Sequence, residues 1–271
     1  IPYLTEHFGN PASRSHAFGW KAEAAVEKAR KQLADLIGAT AKEIVFTSGA
    51  TESNNLALKG VAEMYAQKGN HIITAATEHK AILDTCKRLE KHGSRVTYLP
   101  VQTDGLIDLE MLRDAITDKT KIIVVANPNN PTGNFMDAEH FVRIAETGLP
   151  FVIDEAYVEY AGLKMSQVAL TKKYENVIGT RTMSKAYGLA GMRFGYALAA
   201  KPVIDQISGS LLPWNVGTVP MWAALAAFED QEGLAERVKF NNDAVDFITE
   251  SLSVIPGFVI FPSKSNYILF D

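Results

Sequence analysis

Five short polar clusters carry the groups in this sequence that could do chemistry. They are Ser48-Gly49-Ala50-Thr51, Glu78-His79, Asn127-Pro128-Asn129-Asn130-Pro131-Thr132-Gly133, Asp154-Glu155-Ala156-Tyr157 and Thr182-Met183-Ser184-Lys185. Each follows an apolar or β-rich run that reads as a strand. In an open parallel sheet, ligands collect at the carboxyl ends of strands, so five such clusters in sequence could form one pocket. The first has a direct physical reading. A phosphate at the start of the helix near Glu52 would meet free backbone N–H groups and the positive end of the helix dipole, with Gly49 allowing close approach and Thr51 adding a hydroxyl. The same residues serve equally well as an ordinary helix cap, and a single lysine, proline turn or capping aspartate is commonplace on its own.

The elements that must position these clusters alternate along the chain. Ala25, Val26, Ala29, Leu33 and Ile37 recur at helical spacing after Trp20, with Gly38 as C-cap. Strand Ile44–Thr47, a helix ending near Gly69, strand His71–Thr74, helix Ala81–His92, strand Arg95–Leu99, helix Asp108–Ile116 and strand Lys121–Ala126 follow. Further strands are expected at Pro150–Asp154, Val177–Thr180 and Arg193–Leu198. Runs such as IIVVA and FVID are apolar throughout, the pattern of strands covered on both faces. The fold class is therefore α/β: three layers, α/β/α, around a mainly parallel sheet. Beyond Pro220 the chain turns helical, and its last residues read as the start of a small α+β unit. The expected division is a large domain over 1–222 and a linking helix with an incomplete small domain over 223–271.

Composition narrows the function class. With 47% hydrophobic and 21% charged residues the chain can bury a large core. A net charge of -4, with its cations scattered, gives no footprint for nucleic acid or an anionic membrane. No apolar stretch has the length of a membrane span. The single cysteine, Cys86, rules out an internal disulfide and a cysteine-based metal cluster, so no metal is expected and a cytoplasmic or mitochondrial-matrix setting fits. Small molecules and other copies of the chain are the expected partners.

The run from Gly179 to Tyr196, Gly-Thr-Arg-Thr-Met-Ser-Lys-Ala-Tyr-Gly-Leu-Ala-Gly-Met-Arg-Phe-Gly-Tyr, resembles the cofactor-lysine segment of class I and II aminotransferases, above all histidinol-phosphate aminotransferases. Asn130-Pro131-Thr132-Gly133 and Asp154-Glu155-Ala156-Tyr157 match in the expected order. The resemblance implies a pyridoxal 5'-phosphate enzyme of fold type I, a homodimer acting on an amino acid or amine. It implies that Lys185 carries the cofactor and then serves as general base, that Asp154 pairs with the ring nitrogen, and that Asn130 and Tyr157 bond the phenolic oxygen. Arg193, Ser184 and Thr182 are expected to join Gly49, Ala50 and Thr51 around the phosphate.

Residues from about Phe8 to Thr120 resemble another branch of the same superfamily, the cysteine desulfurases of iron–sulfur cluster assembly. The matching words are Phe8-Gly9-Asn10-Pro11-Ala12-Ser13-Arg14-Ser15-His16, Glu43 through Asn55, and Thr77-Glu78-His79-Lys80-Ala81. That resemblance implies that His79 stacks on the cofactor ring. The two resemblances meet at a seam near residues 118–126, and the chain reads as a chimera with one pocket assembled across it. Aminotransferase-like chemistry is the leading expectation. Cysteine desulfuration is the alternative, weakened because Cys86 sits in a helix where packing is its expected role, and a non-catalytic scaffold is the third.

Overall fold

The computed structural model describes residues 5–7, 9–13, 15–211 and 215–271. Phe8 and Arg14 of the first matching word lie outside these. Seven strands form one sheet: β1 (Ile44–Thr47), β2 (His71–Ala75), β3 (Arg95–Leu99), β4 (Thr120–Ala126), β5 (Phe151–Asp154), β6 (Val177–Thr182) and β7 (Gly195–Ala199). Their order is β1-β7-β6-β5-β4-β2-β3. The five strands from β6 to β3 run parallel, and β7 is antiparallel to both β6 and β1. The expected mainly parallel sheet is present, with the turn of direction confined to one edge.

Both faces of this sheet are covered, which explains why its strands read as unbroken apolar runs. Within β4, Ile122 and Val124 pack with Leu58, Val61, Ile82 and Cys86 of α2 (Ala50–Met64) and α3 (Lys80–Glu90). Ile123 and Val125, pointing the other way, pack with Phe141 and Ile144 of α5 (Ala138–Ala145). The period-two geometry of a strand thus feeds two separate cores. Between them in sequence lies the short helix α4 (Leu109–Ala115), started by the Asp108 carboxylate, which accepts the Glu110 N–H at 2.7 Å.

Helix α1 (Ala17–Ile37) begins three residues before the expected Trp20 because His16 caps it, accepting the Gly19 N–H at 3.1 Å. It ends at Gly38, whose φ of 68° gives the left-handed stop. The expected strand from Arg193 starts later, at Gly195. Arg193 itself occupies a left-handed turn with φ 54°, the one non-glycine residue in that region among those described. Helix α5 had no counterpart in the sequence reading, although Phe141, Ile144 and Ala145 have the spacing of its buried face.

The chain then runs through α6 (Val158–Ala161), α7 (Lys201–Ile207), α8 (Thr218–Glu229) and the long α9 (Gln231–Ser253). In α9 only Leu234 is buried. Strands β8 (Ile260–Phe261) and β9 (Leu269–Phe270) pair with each other, apart from the main sheet. No described helix is long and apolar enough to cross a membrane.

Cys86 lies in the α2–α3 core with no exposed surface, and burial pushes its thiol up to about 12. The native chain should therefore resist a thiol-specific reagent at pH 8 and react with one equivalent after unfolding in guanidinium. Rapid labelling of the native chain would contradict the placement.

Candidate active site

Strand β5 ends at Asp154, and the carboxylate is buried at the centre of the sheet edge. It accepts the Ala156 N–H at 3.1 Å through Oδ1 and the Asn54 side-chain N–H at 2.6 Å through Oδ2. Asn54 is itself fixed by Thr180 of β6, whose hydroxyl donates to Asn54 Oδ1 at 2.6 Å. No Lys or Arg forms an ion pair with Asp154 among the described residues. Burial raises its pKa above the usual carboxylate range, against the opposing pull of Asn54, the Ala156 N–H and nearby His79.

A cavity of about 270 Å³ opens over this carboxylate. Ala50, Thr51, His79, Asn130, Asp154, Tyr157, Thr182, Ser184, Lys185 and Arg193 all line it. Gly49 stands beside Arg193 and Thr182, so the structure brings every residue expected to hold the cofactor to one place, while Glu155 of the same clusters faces away from it. Asn54 lines it too and was missed as a site residue. Its only sequence signal is its position one helical turn after Ala50 and Thr51 on the same helix.

At one end of the cavity is the start of α2. Gly49 is the N-cap with φ 144°, and no side chain caps the helix. A Cβ there would stand 3.2 Å from the Arg193 guanidinium and 3.8 Å from the Thr182 hydroxyl. The left-handed turn at Arg193 is what brings the guanidinium there, and Nη1 is held by the Ala190 carbonyl at 2.8 Å. Thr182 donates to the Ser184 hydroxyl at 2.9 Å. Free helix N–H groups, a guanidinium and two hydroxyls thus converge beside a glycine, a set that matches a phosphate.

At the other end, Lys185 is half-buried in the turn after β6, between the buried Met183 and Ala186. Its Nζ lies 4.8 Å from the centre of the Tyr157 ring. The Tyr157 hydroxyl accepts an N–H from Asn130 at 2.7 Å. His79 is exposed and caps α3 by accepting the Ala81 N–H at 3.0 Å, so it serves as a helix cap as well as a wall of the cavity.

The arrangement can be tested for pyridoxal 5'-phosphate directly. A buried carboxylate held by two neutral donors lacks a cation, and a protonated ring nitrogen would supply one. The glycine-floored cradle matches the phosphate, and an amine faces the space between. The residues present fit the cofactor.

Beneath the site lie charges that the sequence reading did not assign. Arg181 and Glu155 form a buried ion pair at 2.7 Å, joined by Ser166 and the Gln167 N–H. Glu159 is buried beside them with Oε2 unbonded, and burial raises it to about 7 despite Arg181. Glu78 accepts the Ala126 N–H at 2.9 Å through one oxygen and leaves the other unbonded. Burial raises it to about 8, the Ala126 N–H opposing and the charge of Asp154 adding.

Comparisons with known proteins follow the same lines. The family profile described as aminotransferase class V matches residues 1–159. The chain is 55% identical to a cysteine desulfurase IscS of Rickettsia bellii over 157 residues, 58% of this chain and 38% of the relative. It is 39% identical to the mitochondrial cysteine desulfurase of Drosophila melanogaster over 256 residues, 93% of this chain and 54% of the relative. The chain thus spans between about a third and a little over half of these relatives. Among solved structures, the histidinol-phosphate aminotransferase of Sinorhizobium meliloti in complex with pyridoxal 5'-phosphate aligns with a TM-score of 0.78 at 27% identity. That alignment covers 91% of this chain and 66% of that one.

Glu78 and Glu159 hold their protons to pH 7–8 in the folded chain, whereas an unfolded glutamate releases its proton near pH 4.3. Their contribution is full at acid pH below the unfolded value and is lost as pH rises through 7 to 8. Thermal unfolding should thus show a lower midpoint at pH 9 than at pH 6, and Glu78→Gln should flatten the upper part of that decline. A midpoint rising over this range in the wild type would refute the assignment.

Proposed function

The chain belongs to the aminotransferase class-V family, and on that premise we propose that it is a pyridoxal 5'-phosphate enzyme that shifts a proton at the α-carbon of an amino acid, with transamination as the reaction. The observation that carries this reading is the convergence of Lys185, Asp154, Asn130, Tyr157 and the Gly49–Arg193–Thr182 cradle on one cavity. When bound there, the cofactor supplies a ring that withdraws electrons from the substrate α-carbon.

The residues divide the remaining work. The start of α2, Thr51, Thr182, Ser184 and Arg193 would hold the phosphate. Asp154, kept in place by Asn54 and Thr180, would pair with a protonated ring nitrogen. Asn130 and Tyr157 would bond the phenolic oxygen, and His79 would cover the ring. Lys185 would anchor the cofactor and, once released from it, would carry the proton at the substrate α-carbon.

A second reading, cysteine desulfuration, is favoured by the identity of this chain to relatives named cysteine desulfurase, 55% over 157 residues and 39% over 256. It needs a thiol acceptor, and buried Cys86 is poorly placed for that role. Self-association, expected from the sequence, is favoured by the apolar side chains that α9 and β8–β9 leave exposed, among them Phe240, Phe247 and Phe270.

Adding pyridoxal 5'-phosphate to the purified chain should produce a visible absorbance band, which Lys185→Ala removes. Asp154→Asn should retain binding but slow exchange of the substrate α-proton by roughly 10²-fold or more. A wild-type chain with no band would overturn the cofactor reading. Sulfide release from L-cysteine that disappears in Cys86→Ser would install the second reading in place of the first. Light scattering should report a species larger than one chain, and a strictly monomeric solution would count against self-association.

A further inference from the structure

The loop at 127–134 presents Asn130 to the cavity, and it is gripped from outside by a segment that does not line the cavity. The Tyr267 hydroxyl donates to the Asn129 carbonyl at 2.5 Å. That carbonyl also accepts the Gly133 N–H at 2.8 Å, so it receives two bonds. Gly133, at φ 73°, is pressed against Ser263: a Cβ there would collide with the Ser263 hydroxyl. The Lys264 N–H completes the grip on the Gly133 carbonyl at 2.7 Å.

The same tyrosine reaches the site by a second route. Its ring meets Tyr157 edge-on, with centroids 5.3 Å apart and planes at 89°. Tyr157 is the ring beneath Lys185 and the partner of Asn130. Tyr267 therefore touches the backbone of one cofactor-facing arm through its hydroxyl and the ring of the other through its edge.

We infer that Tyr267 is a positioning residue: it sets Asn130 and Tyr157 against each other and makes the arrangement of the cavity depend on the C-terminal segment 263–267. The effect on a bound cofactor rests on the function proposed above, whereas the hold on the loop rests on geometry alone. The two parts call for separate readouts.

The first readout is amide hydrogen exchange of the cofactor-free chain. In Tyr267→Phe, which keeps the ring and removes only the hydroxyl, the Asn129 and Gly133 amides should exchange roughly five-fold faster. The Ile123 amide, bonded to Pro150 inside the sheet, should be unchanged. Equal exchange in variant and wild type, or an equal rise at Ile123, would overturn the inference, the latter by exposing a general loss of stability.

The second readout is the visible band with pyridoxal 5'-phosphate. Tyr267→Phe should bind the same amount of cofactor with a displaced band, and Tyr267→Ala should displace it further. A wild-type chain without a band defeats the proposed function and leaves the exchange result to decide the hold on the loop. A wild-type band that neither variant moves defeats the positioning role and spares the proposed function.

Discussion

Asp154 is a carboxylate placed where a protein of this size can least easily hold one. It sits at the end of a central strand, out of water, with a side-chain amide and a backbone N–H as its partners. An ionised carboxylate in such a place needs a compensating positive charge or must stay protonated. Much of the surrounding structure can be understood as keeping that demand in place. Thr180 orients Asn54, Asn54 orients the carboxylate, and these three residues join α2, β5 and β6 at the floor of the cavity. The helix that supplies Asn54 also supplies the cradle at its first turn, so moving one end of the cavity would move the other.

A second layer of buried charge supports this floor from behind. Arg181 lies next to Thr180 and Thr182 on β6, and alternation along the strand sends it to the opposite face from theirs, into Glu155 and Ser166. Glu155 is likewise the neighbour of Asp154 in sequence and faces the opposite way. Consecutive residues on two adjacent strands therefore serve the cavity on one side and a buried ion pair on the other. The pair restrains the ends of β5 and β6, where Tyr157 and Lys185 begin their turns.

The sheet and most of the site were legible in the sequence because both leave local marks. Unbroken apolar runs announce strands covered on two faces, and polar clusters after each run announce their carboxyl ends. Asn54 was illegible because its importance lies in contacts to Asp154 and Thr180, distant in sequence, and an asparagine in a helix carries no pattern. Arg193 was read as the first residue of a strand because Phe194 and Tyr196 alternate after it. Its left-handed turn, with the guanidinium bonded back to the Ala190 carbonyl three residues earlier, leaves no trace in propensity. Helix α5 escaped notice because it is only two turns long, and its apolar residues look like the tail of the preceding loop. The role of Tyr267 could not be derived from spacing at all, since it depends on where segment 263–267 meets the 127–134 loop and Tyr157, both distant in sequence.

The strand order has a consequence for how the chain is made. β1 lies at the sheet edge and pairs only with β7, Ile44 standing opposite Leu198. Everything between them in sequence must leave the ribosome before β1 has a neighbour, which at about 5–20 residues per second is on the order of ten seconds. During that interval the nascent chain can assemble β2 through β5 while the first helices wait without their sheet edge. The cavity, whose cradle begins immediately after β1 and ends immediately before β7, is closed by the last strand of the main sheet to arrive. Completion of the main sheet therefore closes the cradle late in the life of each molecule, and the hold of segment 263–267 on the 127–134 loop comes later still.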